Sequence, residues 1–279
     1  MQYNQTKASR LCSLLEITKY INNLSFNPDY LINRRLIEQC TDHTDCMNQK
    51  LLIFISTLHI LTLHLAADEV VVLLHGLART SNSMQKLANT LQAEDYLVQN
   101  IDYPSRHMPI EALARNVRNQ LEQFSESGNT IHFVTHSMGG IIVRAIQKES
   151  PLENIGRVVM LSPPNKGSEL VDALGDYKLF EWINGPAGKQ LGTDNKGFVA
   201  NLGPVGFELG VIAGDRSINW INSIIIPSDD DGKVSTERAK VEGMREYKII
   251  HATHPYIMKN DQAINAVLQF LKSGRFTQE

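Results

Sequence analysis

Cysteine is nearly absent from this chain of 279 residues, and what there is lies in one place: Cys12, Cys40 and Cys46 all precede residue 47. An odd number cannot close a complete internal disulfide set, so a disulfide-stapled scaffold is excluded, and Cys40 with Cys46 makes a weak pair. His43 lies between those two, but one histidine in a polar stretch is ordinarily solvated, and no metal site is expected there. The chain also lacks a basic stripe or an aromatic-interleaved Lys/Arg run, which argues against nucleic acid as a partner. It has no internal repeat and no low-complexity tract. With 42% hydrophobic and 20% charged residues and a net charge of -3, the composition is that of a soluble globular protein. One α/β domain plus an extension fits the length.

An apolar run long enough to cross a bilayer, about 20 residues, is missing too. The longest one, Leu51–Leu65, is diluted by Ser56, Thr57, His59, Thr62 and His64. It follows Asn48-Gln49-Lys50 and ends at Ala66-Ala67-Asp68. A short positive start, an apolar centre and small residues at the end are the parts of a secretory signal peptide, expected here at 47–67. That arrangement predicts translation from Met47 and a secreted or periplasmic product, or a membrane-tethered one if the segment is retained. Residues 1–46 are then an extension of unknown role. Short helices are expected at Ala8–Leu24 and Tyr30–Gln39, and neither carries chemistry.

Residue 69 begins an alternation of strands and helices. Glu69–Leu74 is a continuous apolar strand of the kind buried on both faces of a parallel sheet. Ser81 or Asn82 is expected to cap a helix with Met84, Leu87, Ala88 and Leu91 on its inner face. Leu97–Tyr103 reads as a second strand. Pro109 opens a helix carrying Leu113, Val117 and Leu121. Further strands are expected at Thr130–Thr135, Arg157–Leu161, Gly210–Ala213 and Tyr247–Ile250, and a last helix at Ala263–Leu271. Such alternation implies right-handed crossovers and a mostly parallel sheet with helices on both faces. An insertion follows the strand ending near Ser162, glycine-rich from Pro163 to Gly206, in the position of a cap or lid. Within it Phe180, Trp182 and Leu191 are candidate walls of an acyl pocket, against the plainer reading of a surface helix.

The chemistry centres on Thr130–Arg144, TIHFVTHSMGGIIVR. A strand that becomes a helix within a few residues leaves the middle residue on a strained backbone with its side chain pushed out of the sheet edge. That residue is Ser137. Gly139 and Gly140 supply the small groups needed where strand and helix pass closely. The pattern is a nucleophile elbow, G-x-S-x-G, with Thr135 replacing the first glycine. His136, beside the nucleophile, is a candidate substrate contact.

A serine hydroxyl needs a base to take its proton, and its tetrahedral product needs two hydrogen-bond donors. His75-Gly76-Leu77 closes the first strand, so the amides of Leu77 and Met138 are the expected donors. Asp215, Asp230 and Asp231 compete as triad acid. Asp231 is preferred because Asp-Gly-Lys-Val puts a turn glycine and an apolar anchor after it. A calcium site is the rival reading of Asp229–Asp231. His251 and His254 compete as base, with His254 preferred because it lies in the loop beyond the last strand.

From residue 69 onward the chain resembles the α/β-hydrolases of the lipase and esterase type, a bacterial branch close to the PGAP1-like and triacylglycerol lipase groups. LLHGL, THSMGG, LSPPNKGSEL, GPAGKQLGT, DDDGKVS and THPYIM carry the resemblance. It implies the α/β-hydrolase fold, an acid in N-D-G-x-V and a base in T-H-x-x-I-M, which fall on Asp231 and His254. Asp230 stands where that pattern has Asn, and Pro255 follows the histidine. The implied activity is carboxylic ester hydrolysis through an acyl-enzyme, without a cofactor, on an ester or lipid substrate with peripheral contact to a lipid surface. An acyltransferase or thioesterase using the same triad is the alternative, and a catalytically idle binding module a more distant one.

Overall fold

Five consecutive apolar residues after Glu69 can be accommodated only where both faces of a strand are covered. In the computed structural model Val70, Val71, Val72, Leu73 and Leu74 are all fully buried. The structure describes residues 69–122, 124, 129–218, 225–226 and 228–276. The extension at 1–46, its two expected helices, the three cysteines and the expected signal at 47–67 lie outside the described residues. Among the described residues no helix is long and apolar enough to cross a membrane.

Strand β1 (Glu69–Leu74) is followed by a 3-10 turn (Ser81–Met84), α1 (Gln85–Ala93), β2 (Leu97–Ile101), α2 (Ile110–Gln120), β3 (Thr130–His136), α3 (Met138–Glu149) and β4 (Ile155–Leu161). The inserted region holds α4 (Glu169–Leu174), α5 (Lys178–Lys189) and α6 (Phe198–Asn201). Then come β5 (Leu209–Gly214), α7 (Thr236–Ala239), β6 (Glu246–Ile250) and α8 (Asp261–Ser273). The six strands form one sheet in the order β2-β1-β3-β4-β5-β6, and every pairing is parallel.

Alternate side chains of β1 feed two cores. Val70, Val72 and Leu74 join a cluster with Leu113 and Val117 of α2 and Ile141 and Ile142 of α3. Val71 and Leu73 join Leu87 and Leu91 of α1 with Val267 and Phe270 of α8 on the other face. The chain leaves β1 outward to β2 and returns across it to β3, so the topological switch lies between β1 and β3. A crevice opens there, outside the carboxyl ends of the strands. Leu74 pairs with Thr135 at that edge, which puts His75-Gly76-Leu77 beside His136-Ser137-Met138.

Three local expectations need correction. Ser81 and Asn82 do not cap α1: both lie within the preceding 3-10 turn, and neither that turn nor α1 has a side-chain cap. The Ser81 amide is instead satisfied by Asp102 Oδ1 at 2.8 Å. Strand β2 stops at Ile101, short of Tyr103, because Tyr103 turns inward to stack on His75 with ring centres 4.0 Å apart. Strand β4 begins at Ile155, two residues before Arg157.

The insertion is fastened to α3 by a buried arginine. Arg144 donates to the Asn165 carbonyl at 2.8 Å and to the Gly203 carbonyl at 2.7 Å, holding both ends of the segment. Burial pushes its pKa down to about 10, which leaves the guanidinium charged at neutral pH. Helix α5 breaks at Gly185, whose φ of 64° puts it in the region that glycine favours, with Pro186 next.

Candidate active site

The turn from β3 to α3 leaves no room for ordinary backbone geometry. Ser137 sits at φ 54° and ψ -123°, a conformation costing about 1 to 3 kcal/mol that persists only where surrounding structure fixes it. Its amide donates to the Leu161 carbonyl at 2.8 Å, and its carbonyl accepts from the Gly140 amide at 3.0 Å. A side chain at Gly139 would come within 2.7 Å of the Leu74 carbonyl, so α3 can approach β1 only with glycine there. Gly140 faces the softer Met160 side chain. Thr135 is buried in the strand two residues before the serine.

Three loops at the carboxyl ends of the sheet then converge. Ser137 Oγ lies 3.0 Å from His254 Nε2, and His254 Nδ1 lies 2.8 Å from Asp231 Oδ2. With Nδ1–H donating to the carboxylate, Nε2 is the unprotonated nitrogen and faces the Ser137 hydroxyl as an acceptor. Asp231 is itself held by the amides of Lys233 at 3.0 Å and Val234 at 2.9 Å, both donating to Oδ1. The His254 amide donates to the Asp231 carbonyl at 2.9 Å. The row is enclosed: Ser137 is 8%, His254 4% and Asp231 1% exposed.

The rival acids are spent elsewhere. Asp230 Oδ1 accepts from the Gly232 amide at 2.6 Å and shapes the turn. Asp215 contacts His251 at 2.9 Å, on an exposed part of the surface. His251 is therefore outside the row that contains Ser137. Among the described residues no cluster of His, Cys, Asp or Glu is arranged to hold a metal ion.

Sequence reasoning placed His136 against substrate, but the structure gives it another role. It is buried at 2% exposure, and its Nε2–H donates to the His254 carbonyl at 3.0 Å. Burial holds its pKa well below the ordinary histidine value, with the neighbouring His254 adding to the effect. Its Nδ1 has no hydrogen-bond partner, as expected of the neutral Nε2–H form. His254 is thus gripped at both its amide and its carbonyl. Trp182 is 80% exposed, Phe180 is half-buried, and Leu191 belongs to the core cluster. The exposure of Trp182 does not match an enclosed acyl pocket.

The loop after β1 is braced by residues that no motif announced. Tyr103 OH donates to the His75 carbonyl, the Tyr103 amide donates to His75 Nε2 at 3.3 Å, and His75 Nδ1–H donates to the Gly76 carbonyl at 2.9 Å. Because Nε2 accepts, the 3.4 Å approach of Asp102 to it is not an ion pair, and burial keeps His75 below its ordinary pKa. The Ala78 amide donates to Ser105 Oγ at 3.2 Å. Among the described residues the amides of Leu77 and Met138 have no partner, the state required of donors kept for a developing oxyanion. An aromatic two residues past β2, followed by Pro-Ser, was a hint in the sequence.

A parallel sheet with helices on both faces and an elbow serine at its switch point is the α/β-hydrolase fold. Residues 70–194 match the family model described as palmitoyl protein thioesterase. No curated protein matches the sequence. Among solved structures, the phospholipase PlaB from Legionella pneumophila is 20% identical, with a TM-score of 0.53 over 62% of this chain and 45% of that one. The mature lipase BlEst2 from Bacillus licheniformis is 18% identical, TM-score 0.52, covering 75% of this chain and 93% of that one. Lipase B from Aspergillus fumigatus is 15% identical, TM-score 0.57, covering 74% of this chain and 52% of that one. The chain therefore spans less than half of the phospholipase it resembles, and the shared property is the fold.

Proposed function

We propose that the chain is a serine hydrolase that cleaves carboxylic esters through an acyl-enzyme. The observation that carries this reading is the continuous row from Ser137 Oγ through His254 to Asp231, at 3.0 and 2.8 Å. Ser137 attacks the ester carbon while His254 takes its proton. Asp231 holds the imidazole tautomer and stabilises the imidazolium, and the Leu77 and Met138 amides receive the negative oxygen. His254 then gives the proton to the departing alcohol, and water, activated by the same base, releases the acid. Hydrolysis of p-nitrophenyl esters of increasing acyl length tests this reading. Turnover of at least the short esters is expected, and no turnover of any ester would refute it.

Thioesters are a second substrate class, favoured by the match of residues 70–194 to the palmitoyl protein thioesterase model. The same attack applies, with a thiolate as the leaving group. We also propose export directed by 47–67, which N-terminal sequencing of native protein tests: a start near Ala67 supports it and Met1 refutes it. Lipid-surface contact has support in the exposed Tyr177, Leu179, Trp182 and Ile183 around α5, since aromatic and aliphatic side chains suit a membrane interface.

A further inference from the structure

Directly beyond the Leu77 amide, the chain enters an open groove of about 760 Å³ whose walls are the loop after β1 and the loop after β2. Arg79, Arg106, His107 and Lys259 line it, with Asp102 as the one carboxylate. None of those four basic side chains has an acidic partner among the described residues, and Asp102 is engaged by the Ser81 amide. Several basic side chains elsewhere are ion-paired, as Lys86 is with Asp261, Arg157 with Glu208 and Arg238 with Glu169, whereas here four gather in one groove. The chain as a whole carries -3, so a concentration of unpaired cations in one groove is not a consequence of a basic protein. Clefts lined by one sign of charge focus the field and raise the local concentration of ligands of the opposite sign. Arginine forks in particular match phosphate oxygens.

The Ala78 amide bonded to Ser105 Oγ fixes the two walls to each other one residue past the oxyanion donor. Ala78, the residue after Leu77, lines the groove, so the groove begins one residue from the proposed oxyanion donor. We infer that this groove binds a phosphate group carried by the leaving half of the substrate, so that the preferred esters or thioesters are those of phosphorylated alcohols or thiols. The inference rests on the serine-hydrolase reading only for the word substrate; the binding site itself does not need turnover. Lys233, two residues from Asp231, is held below the ordinary lysine value by burial first and then by the Arg79 charge.

Two sources of such a group are a phospholipid and a soluble phosphorylated thiol, and matched probes separate them. Binding is measured by titration calorimetry on the full chain carrying Ser137→Ala, where turnover cannot interfere. The thiol pair is S-butyryl-4'-phosphopantetheine against S-butyrylpantetheine, which share the thioester and differ only in the phosphate. The lipid pair is dihexanoyl phosphatidate against dihexanoylglycerol. The phosphate-bearing member of at least one pair is expected to bind about tenfold tighter, with the advantage shrinking as salt rises. Arg79→Glu with Arg106→Glu, both on exposed side chains, is expected to remove it while a thermal melt stays unchanged. Equal binding in both pairs, or a preference that survives charge reversal, would overturn the inference. Hydrolysis of neutral esters by the wild type reports separately on Ser137, so failure of the groove and failure of the hydrolase reading are told apart.

Discussion

Asp231 and His254 are joined twice, by Asp231 Oδ2 to His254 Nδ1 at 2.8 Å and by the His254 amide to the Asp231 carbonyl at 2.9 Å. The side-chain bond sets the tautomer, and the backbone bond fixes the distance between the two loops that supply acid and base. Such a pair would lose little conformational freedom on forming the imidazolium of the proposed mechanism, which is how preorganised groups lower a barrier.

The acid can be identified by substitution. Asp231→Asn is expected to lower kcat by about 10³- to 10⁴-fold, because an amide cannot both accept from Nδ1–H and stabilise the imidazolium. Asp230→Asn and Asp215→Asn are expected to change kcat by less than about threefold, since neither carboxylate faces His254. Steady-state kinetics on a short ester distinguishes them, and a large loss in Asp230→Asn with none in Asp231→Asn would reassign the acid.

If His254 is the base, the bond from His136 to its carbonyl at 3.0 Å makes His136 a positioning residue. His136→Phe removes the donor to the His254 carbonyl and is expected to lower kcat by about 10- to 100-fold with little change in KM. His136→Gln retains an amide donor and is expected to recover part of that loss. A matched fall in thermal stability without any effect on kcat would show a purely structural role.

The elbow separates two adjacent glycines. Gly139→Ala would push a methyl group to 2.7 Å from the Leu74 carbonyl, and backbone cannot yield cheaply. A loss of about 1 to 3 kcal/mol is expected in denaturant unfolding. Gly140→Ala meets the Met160 sulfur at 2.9 Å, the end of a flexible side chain, and is expected to cost less. Equal losses would mean that α3 does not pack on β1 as described.

Three buried histidines give a signed dependence of stability on pH. Burial lowers the pKa of His75, His132 and His136 in the folded protein from the ordinary value of 6.5. Below 6.5 the unfolded chain therefore binds more protons than the folded one, so stability is full above that pH and falls as the solution is acidified. Thermal melts between pH 8 and about pH 5 should show Tm level at first and then declining. His136→Gln should make the decline shallower, and a Tm that rises on acidification would contradict the burial of these side chains.

How much of this was legible in the sequence follows from the range of each interaction. EVVVLL, the elbow and the final helix could be read because hydrophobic period and local backbone geometry are short-range properties. Ser137, Asp231 and His254 could be ordered along the chain because strand–helix alternation dictates which loops share an edge. The functions of His136 and Tyr103 could not be read that way. One bonds a carbonyl in another loop and the other stacks on His75, and both contacts depend on how loops distant in sequence meet. The mismatch at Trp182 has the same origin: an apolar residue in an insertion has no periodic neighbour to show which way it faces. The basic groove was illegible as well, since Arg79, Arg106 and Lys259 are scattered in sequence and gather only where the loops after β1 and β2 meet.

The central claim is that Ser137 is a nucleophile activated by His254. The most direct measurement is intact-mass analysis after exposure to a fluorophosphonate, which reacts with activated serines and ignores ordinary ones. A single adduct on Ser137 is predicted for the wild type, absent from Ser137→Ala and strongly slowed in His254→Ala. A wild-type protein that gains no adduct, or one in which the adduct survives in Ser137→Ala, would contradict the account.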